Sequence, residues 1–466
     1  MAWTINNGKL YFNTKLYTGN GPGQAITGVG FEPDFLWIKA RSAAYQHSLR
    51  NVIRGSLKTL RSNGTNAEAT QAGSVTSFDS NGFTLGQDDE SFVNQDGVTY
   101  ASWNWSAAGA TPSNTYVVKV VSDSGNKYRF DDFGTSAVTL EISEGGTFTF
   151  DQSDSSNNGH PLRFATQADG ANSSQYTTGV TTNGTPGQAG AYTRITVAAS
   201  APTLFYYCTN HTGMGGQANT PTTSSFSNFS GSVQSNISPN TTAGFSIATW
   251  TTPSSGTQFT IGHGLGQAPG MMMMKCTSQA NSWFTYHQGL GGNVNDYLIL
   301  DASAAEASQT NMWGANGAQT NTMGFKAGTS SYTNEPMIGY FFAEKQGYSK
   351  MGIYEGNNNV NGTFVYLGFK PAWIMFKAID NSRNWMMYDN KRGPINVNDE
   401  SIYTNGSNAE VNPNNYNGVD FLSNGFKLRG GSSGVGNDTN ASETYSYMAF
   451  AENPFTSSAG TPVTAR

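Results

Sequence analysis

The most distinctive chemistry in the sequence lies in four side chains with sulfur or imidazole donors. Cys208, His211 and Met214 follow one another at a Cys-x2-His-x2-Met spacing, and His160 lies upstream in an Asn-Gly-His-Pro segment. One thiolate and two imidazoles, with a thioether as a weak fourth ligand, are the donor set of blue-copper centres. The spacing therefore predicts a type-1-like copper site at these four residues.

The same residues admit other interpretations. A domain that retains them for packing alone would have an empty structural site. Zinc is disfavoured because its usual ligands are cysteine, histidine and carboxylates, and a thioether is a poor one. A disulfide between Cys208 and Cys276, the two cysteines of the chain, is a further alternative, and it would join two different predicted domains.

The composition is that of a folded all-β protein. Charged residues make up 12% of the 466 positions, aromatic residues also 12%, and glycine occurs 55 times. Disordered chains are poor in aromatic residues. Threonine and the aromatic residues favour strands, and glycine and asparagine favour the turns between them. We therefore expect many short strands and no long helix.

The charge and hydropathy patterns argue against several kinds of partner. The formal net charge is −6 and no run of basic residues occurs, so we expect no binding to nucleic acid. No apolar run reaches about 18 residues, so we expect no membrane-spanning helix. The first residues lack a charged segment followed by an apolar core, and we therefore expect no secretory signal peptide.

One unit occurs three times in the chain. Each copy has a turn with proline, an apolar run that ends in lysine, an Ala-Glu pair and a Gly-Phe pair, all in register. The apolar runs are typical of strands buried on both faces, and Asn-Gly pairs in two copies predict hairpin turns. The lysines are Lys39, Lys275 and Lys377, and the glutamates are Glu68, Glu306 and Glu410.

The repeats predict tandem β-sandwiches of a jelly-roll-like kind, with one insertion. The extra length between the first two copies indicates a separate inserted domain. The predicted layout is sandwich A at residues 1–110, the inserted domain at 113–218, a linker at 219–242, sandwich B at 243–347, sandwich C at 348–456 and a polar tail at 457–466.

The repeats resemble a β-domain that recurs in tail fibres and other virion proteins of tailed phages, notably marine and cyanobacterial ones. The shared features are the Tyr-x-Gly-Asn-Gly opening at residues 17–21, the Pro-Asp-x-x-Trp-Ile-Lys strand at 33–39 and the Ser-Asn-Gly-Phe turn at 80–83. The likeness is weaker in sandwich B, where the strand ends in Met-Met-Lys. It implies a virion structural protein that contacts other virion proteins and assembles as a homotrimer. A generic bacterial sandwich array is the alternative.

The inserted domain resembles a cupredoxin. It is similar in its Gly-His-Pro segment at residues 159–161 and in a last strand that ends in an aromatic residue and cysteine. A short loop with histidine and methionine then follows, up to residue 214. The resemblance implies a Greek-key sandwich in which His160, Cys208, His211 and Met214 are the copper ligands.

The leading hypothesis is therefore a non-enzymatic protein of the virion, on the tail or capsid surface, with a role in assembly or host contact and a structural copper site. One alternative is a carbohydrate-binding adhesin that contacts a host glycan or receptor. Its candidate stacking platforms are Trp103, Trp105 and Trp283, although aromatic residues on strands usually lie in the core. A copper redox protein is the other alternative.

Overall fold

The computed structural model confirms the all-β class. It describes residues 5–451, except residue 6 and the stretches 88–91, 110, 255–256, 292–293, 327–332, 412–417 and 430–439. The predicted polar tail at 457–466 lies outside these residues. The helices of the described part are short 3-10 helices, and none is long and apolar enough to cross a membrane. They are Gly8–Leu10, Ser155–Asn157 and Ala168–Ser173.

Sandwich A has a large sheet of order β1-β9-β3-β4-β5-β6 and a small sheet of order β2-β8-β7. Its strands are β1 (Phe12–Thr18), β2 (Gln24–Thr27), β3 (Phe35–Ala40), β4 (Ser48–Asn51), β5 (Gly55–Leu60), β6 (Ala69–Thr70), β7 (Val75–Asp79), β8 (Gly82–Leu85) and β9 (Thr99–Trp105). The apolar run predicted to be buried on both faces is β3, and all six of its residues are buried.

The inserted domain has two five-stranded sheets, of order β11-β10-β13-β17-β16 and β12-β19-β18-β14-β15. Its strands are β10 (Ser113–Ser122), β11 (Asn126–Phe130), β12 (Leu140–Glu141), β13 (Thr147–Asp151), β14 (Leu162–Ala165), β15 (Gln175–Tyr176), β16 (Val180–Asn183), β17 (Tyr192–Thr196), β18 (Leu204–Cys208) and β19 (Gly216–Asn219). Strands β10 and β13 pair in parallel, as do β12 and β19.

Sandwich B has a large sheet of order β20-β21-β22-β29-β24-β25-β26-β27 and a small sheet of β23 and β28. Its strands are β20 (Phe226–Asn228), β21 (Ser235–Asn240), β22 (Phe245–Thr251), β23 (Phe259–Gly262), β24 (Met271–Cys276), β25 (Phe284–His287), β26 (Asp296–Ile299), β27 (Ala307–Ser308), β28 (Thr322–Phe325) and β29 (Pro336–Phe342).

Sandwich C has sheets of order β30-β37-β32-β33-β34 and β31-β36-β35. Its strands are β30 (Ser349–Glu355), β31 (Phe364–Tyr366), β32 (Pro371–Ala378), β33 (Met386–Asp389), β34 (Ile402–Tyr403), β35 (Val419–Leu422), β36 (Gly425–Leu428) and β37 (Thr444–Ala451). In all three sandwiches, the last strand (β9, β29 or β37) lies between an equivalent earlier strand (β1, β22 or β30) and the strand that ends one residue after the repeated lysine.

The stretch at 219–242 is not the linker that its composition predicts. Strands β20 and β21 lie there and extend the large sheet of sandwich B beyond β22. Their residues are mostly serine and asparagine, so they lack the apolar alternation that identifies a strand in a sequence. They are strands because the free edge of β22 supplies backbone hydrogen-bond partners, which composition does not reveal.

The three sandwiches share one hydrophobic core. Each sandwich contributes to this core one aromatic residue from the end of its last strand. These residues are Trp105, Phe342 and Phe450. The ring centroids of Trp105 and Phe342 are 6.2 Å apart, and both lie 5.9 Å from that of Phe450. Three equivalent residues in mutual contact place a pseudo-threefold axis between them, so the sandwiches form a ring within one chain.

Each junction of the ring has the same pair of hydrogen bonds. The backbone N–H groups of Glu68, Glu306 and Glu410 donate to the carbonyl oxygens of Thr277, Ile379 and Arg41, each at 2.8 Å. In the opposite direction, ring N–H groups of Trp283, Trp385 and His47 donate to the carbonyl oxygens of Arg61, Ile299 and Tyr403, at 2.9, 2.8 and 2.9 Å. The junctions are therefore A with B, B with C, and C with A.

The tryptophans considered as sugar platforms belong to this interior. Trp103, Trp105 and Trp283 are at most 1% exposed. The indole of Trp103 donates to Asp389 of sandwich C at 3.0 Å. None of the three rings presents a face to solvent, so they are not available as sugar platforms, and the usual role of strand aromatics in a core applies.

We expect Phe342→Ala to destabilise the protein by about 3–5 kcal/mol, because it leaves a cavity where three sandwiches meet. Chemical denaturation followed by tryptophan fluorescence would measure the change. The matched control is Phe364→Ala on β31, where the ring is 44% exposed and we expect a change within about 0.5 kcal/mol. Equal effects of the two substitutions would contradict a shared core at the axis.

Candidate metal centre

Two neighbouring strands of the inserted domain bring the predicted ligands together. Strands β14 and β18 pair antiparallel with Leu162 opposite Cys208. His160 lies two residues before Leu162, so it is at the same end of the sheet as Cys208. The turn after β18 then folds back and carries His211 to the same place. The pairing of these two strands therefore determines the site.

The Cys208 sulfur lies at a distance from each of the two imidazoles that one shared metal ion would allow. The Sγ atom of Cys208 is 3.8 Å from Nδ1 of His160 and 3.6 Å from Nδ1 of His211. Two donors bound to one ion at about 2.0–2.3 Å with a trigonal or tetrahedral angle are separated by about 3.5–3.8 Å. Potential donor atoms of the three residues all lie within 4.8 Å of one another. The donor set and its spacing therefore fit a first-row metal ion.

The fourth predicted ligand is placed in the adjoining core. Met214 is 1% exposed and belongs to the same hydrophobic cluster as Cys208. Its carbonyl oxygen accepts a hydrogen bond from the backbone N–H of Tyr128 at 2.9 Å. The preceding residue, Gly213, donates its N–H to the Asp169 carboxylate at 2.9 Å. Hydrogen bonds to Tyr128 and Asp169 thus hold the backbone of the loop that runs from β18 to Met214.

The site is partly open to solvent. Cys208 is 4% exposed, His160 is half-buried and His211 is exposed. Burial, and then the charge of His211, lowers the pKa of His160 from its usual value. Metal binding requires a neutral imidazole, so this shift favours the ligating form of His160.

Two residues that the sequence did not indicate position His160. Its carbonyl oxygen accepts hydrogen bonds from the Tyr128 hydroxyl and the Gln152 side-chain amide, both at 2.9 Å. The Gln152 side-chain oxygen also accepts from the N–H of Leu162 at 3.1 Å. Gln152 therefore holds the chain on both sides of Pro161. No motif marks either residue, because their role depends on β11 and β13 lying beside the loop.

The remaining histidines and the second cysteine do not join the cluster. His47, His263 and His287 are at most 2% exposed, and each contacts a backbone carbonyl oxygen through its ring. Cys276 is buried in sandwich B, and both cysteines are free. The alternative disulfide is therefore absent. Among the described residues, His160, Cys208 and His211 form the cluster of metal-ligating side chains.

Comparison with known proteins identifies the family. A family model described as "Domain of unknown function (DUF7483)" matches residues 7–130 and 217–454. The chain belongs to this family. No curated protein and no solved structure matches the chain. The match is interrupted between residues 130 and 217, so His160, Cys208, His211 and Met214 all lie outside the part shared with the DUF7483 model.

We expect Gln152→Leu to weaken metal binding by about 10- to 100-fold, because residues that orient a ligand contribute to affinity on this scale. A competition titration with a colorimetric chelator would measure the affinity for Cu(I). Gln217→Leu is the control, since Gln217 lies on β19 and bonds to Asn219. Equal affinities of the two variants would show that the bonds to the His160 loop do not support the site.

Proposed function

We propose that the chain is a structural protein of a virion and that its inserted domain binds one copper ion. The observation that carries the copper assignment is the approach of two imidazole Nδ1 atoms to the Cys208 thiol at 3.6 and 3.8 Å. Thiolate and imidazole together favour copper or zinc, and the buried thioether of Met214 in the same loop favours copper.

The role that best fits this geometry is to hold loops together. His160 precedes β14, Cys208 ends β18, and His211 lies in the loop that leads to β19. A bound copper ion supplies bonds that join these three segments. Binding to the folded form alone would stabilise the domain by about 2.7 kcal/mol when the free ion is at 100 times its dissociation constant.

A redox role is the second candidate, because His211 is exposed at the cluster and an external electron donor could approach it. The adhesin alternative loses its three candidate stacking tryptophans, since they are core residues. Reversible oxidation and reduction of the copper-loaded protein at an electrode would favour the redox role.

The virion assignment is supported by the resemblance of the repeats and by the way the chain is built. The three sandwiches share one hydrophobic core, and the chain has few charged residues. Both features suit a particle component that must keep its shape outside a cell. In this proposal the protein lies on the tail or capsid surface, contacts other virion proteins, and takes part in assembly or host attachment. Assembly of the chain as a homotrimer, which the resemblance implies, is part of this proposal.

The copper assignment predicts a coloured complex. Titration of the purified protein with Cu(II) should produce an intense thiolate-to-copper absorption band at one equivalent. Cys208→Ser should remove the band and leave the circular dichroism spectrum unchanged, because a serine hydroxyl is no substitute for a thiolate. Cys276→Ser is the matched control and should keep the band. No band from protein with a titratable Cys208 thiol would contradict the assignment.

The virion assignment predicts that the protein is present in purified particles. Gradient-purified virions from the natural host should contain it at a fixed number of copies, measured by quantitative mass spectrometry. Antibodies to sandwich C should label one structure on the particle in electron microscopy. Protein that is abundant in the lysate and absent from the particles would contradict a structural role, and copper binding would be unaffected by that outcome.

A further inference from the structure

The three junctions of the ring differ in the charges around their repeated glutamate. Glu68 pairs with Arg54 at 2.8 Å. Glu410 pairs with Arg392 at 3.1 Å and with Arg41 across the junction at 2.8 Å. Each of these carboxylates therefore has an arginine as its counterion.

The third glutamate, Glu306, has apolar residues where the others have arginine. Arg54 and Arg392 lie three residues after the ends of β4 and β33, and Leu290 lies at the same distance after β25. Arg41 directly follows β3, and the equivalent residue after β32 is Ile379. None of the ion pairs within the described ranges includes Glu306. At the junction of sandwiches B and C, apolar residues thus occupy the positions of both arginines that pair with Glu410.

Acidic groups face Glu306 instead. Asp296 on β26 lies opposite Ser308 of β27, the strand that Glu306 directly precedes. Asp380 directly follows Ile379, whose carbonyl oxygen accepts the Glu306 N–H. Both carboxylates act on Glu306, one from each side of the junction. One oxygen of Glu306, Oε1, is buried and has no hydrogen-bond partner. Burial, then the negative charge of Asp296, raises the pKa of Glu306 to about 7.

The other charged groups on the C side of this junction are already engaged. Lys377 donates to the carbonyl oxygens of Ala378 and Asn381 at 2.7 and 3.3 Å. Arg383 pairs with Glu443 at 2.6 Å. The Asp380 carboxylate accepts the N–H of Thr444 at 2.8 Å and so stays fixed beside the junction. Glu306 therefore meets two acids.

We propose that the junction between sandwiches B and C is a proton-dependent latch: it is closed while one proton remains in the carboxyl cluster of Glu306, Asp296 and Asp380, and it loosens when that proton leaves. The glutamates of the two other junctions have arginine counterions in place of the proton. The chain then has one hinge, and mild acid closes it.

The direction follows from where the proton binds more tightly. In the closed junction the pKa of Glu306 is raised to about 7, whereas an open, solvated Glu306 has its ordinary value of 4.5. Between these two values the closed form retains a proton that the open form loses. The stabilisation is therefore complete below the lower value and declines as pH rises towards 7, by up to about tenfold in the opening equilibrium per pH unit.

Hydrogen exchange on the full chain tests the latch, because the three junctions supply matched reporters. The N–H groups of Glu68, Glu306 and Glu410 make equivalent 2.8 Å bonds. After correction for the intrinsic exchange rate, peptides containing Glu306 should lose protection by at least about tenfold between pH 5 and pH 7.5. Peptides containing Glu68 are the reference and should change by less than about twofold. The Glu410 junction is a weaker reference, because burial lowers the pKa of Lys39, which interacts with Glu410, to about 7.

Glu306→Gln carries no ionisable group and should keep the junction protected across the whole pH range. Asp296→Asn is a second variant that removes one of the repelling acids and should flatten the response in the same way. Glu410→Gln is the control and should weaken its own junction at every pH, because it removes the carboxylate that Arg41 and Arg392 share. A pH response that persists in Glu306→Gln would overturn the proposal.

A divalent cation is the competing occupant, and the same experiment identifies it. Millimolar Ca²⁺ at pH 7.5 should leave the exchange of the Glu306 peptide unchanged if the cluster takes only a proton. Restored protection on addition of Ca²⁺, lost again in Glu306→Gln, would overturn the latch in favour of a cation site.

Discussion

The contact of three aromatic rings on the pseudo-threefold axis is the interaction on which the rest of the structure depends. In each sandwich the small sheet packs on one face of the large sheet. The inner face of the large sheet, which points towards the axis, must be buried by the other sandwiches. Trp105, Phe342 and Phe450 lie where the three inner faces meet. Aromatic pairs of this kind contribute about 0.5–1.5 kcal/mol each beyond the area they bury. The junction hydrogen bonds then set the orientation of neighbours that the core has brought together.

The inserted domain is attached to this ring at one place and carries different chemistry. Its core is continuous with that of sandwich B, and β20 and β21 extend the sheet of sandwich B on that side. The cluster of His160, Cys208 and His211 lies where β14 begins and β18 ends, in the stretch 131–216 that the family model does not match. Strand β18 pairs with both β14 and β19 and so brings the Cys208 thiol within 4 Å of Nδ1 of both histidines.

The sequence was sufficient for what depends on local pattern. Repeated apolar runs predicted the central strands β3, β24 and β32, and the Cys-x2-His-x2-Met spacing predicted that Cys208 and His211 would be close. What it could not show depends on contacts between distant segments. Strands β20 and β21 exist because β22 offers an edge, and the ring exists because three apolar faces fit one another. Gln152 supports the site because it follows β13, which lies beside the His160 loop. Glu306 differs from Glu68 and Glu410 because Leu290 and Ile379 stand where arginines stand at the other junctions.

Joining the three sandwiches in one chain also frees them from being identical. In a ring of three separate copies, any substitution appears three times, and an insertion would add a domain to every subunit. Here Arg54, Leu290 and Arg392 occupy equivalent places and differ, and one insertion interrupts one connection. The covalent linkage therefore fixes a stoichiometry: the described part of each ring has one thiol-imidazole cluster and one junction whose glutamate has no arginine partner, at defined positions relative to each other. The three sides of the ring therefore differ from one another. A partner that binds one of these sides is held in a single orientation around the axis.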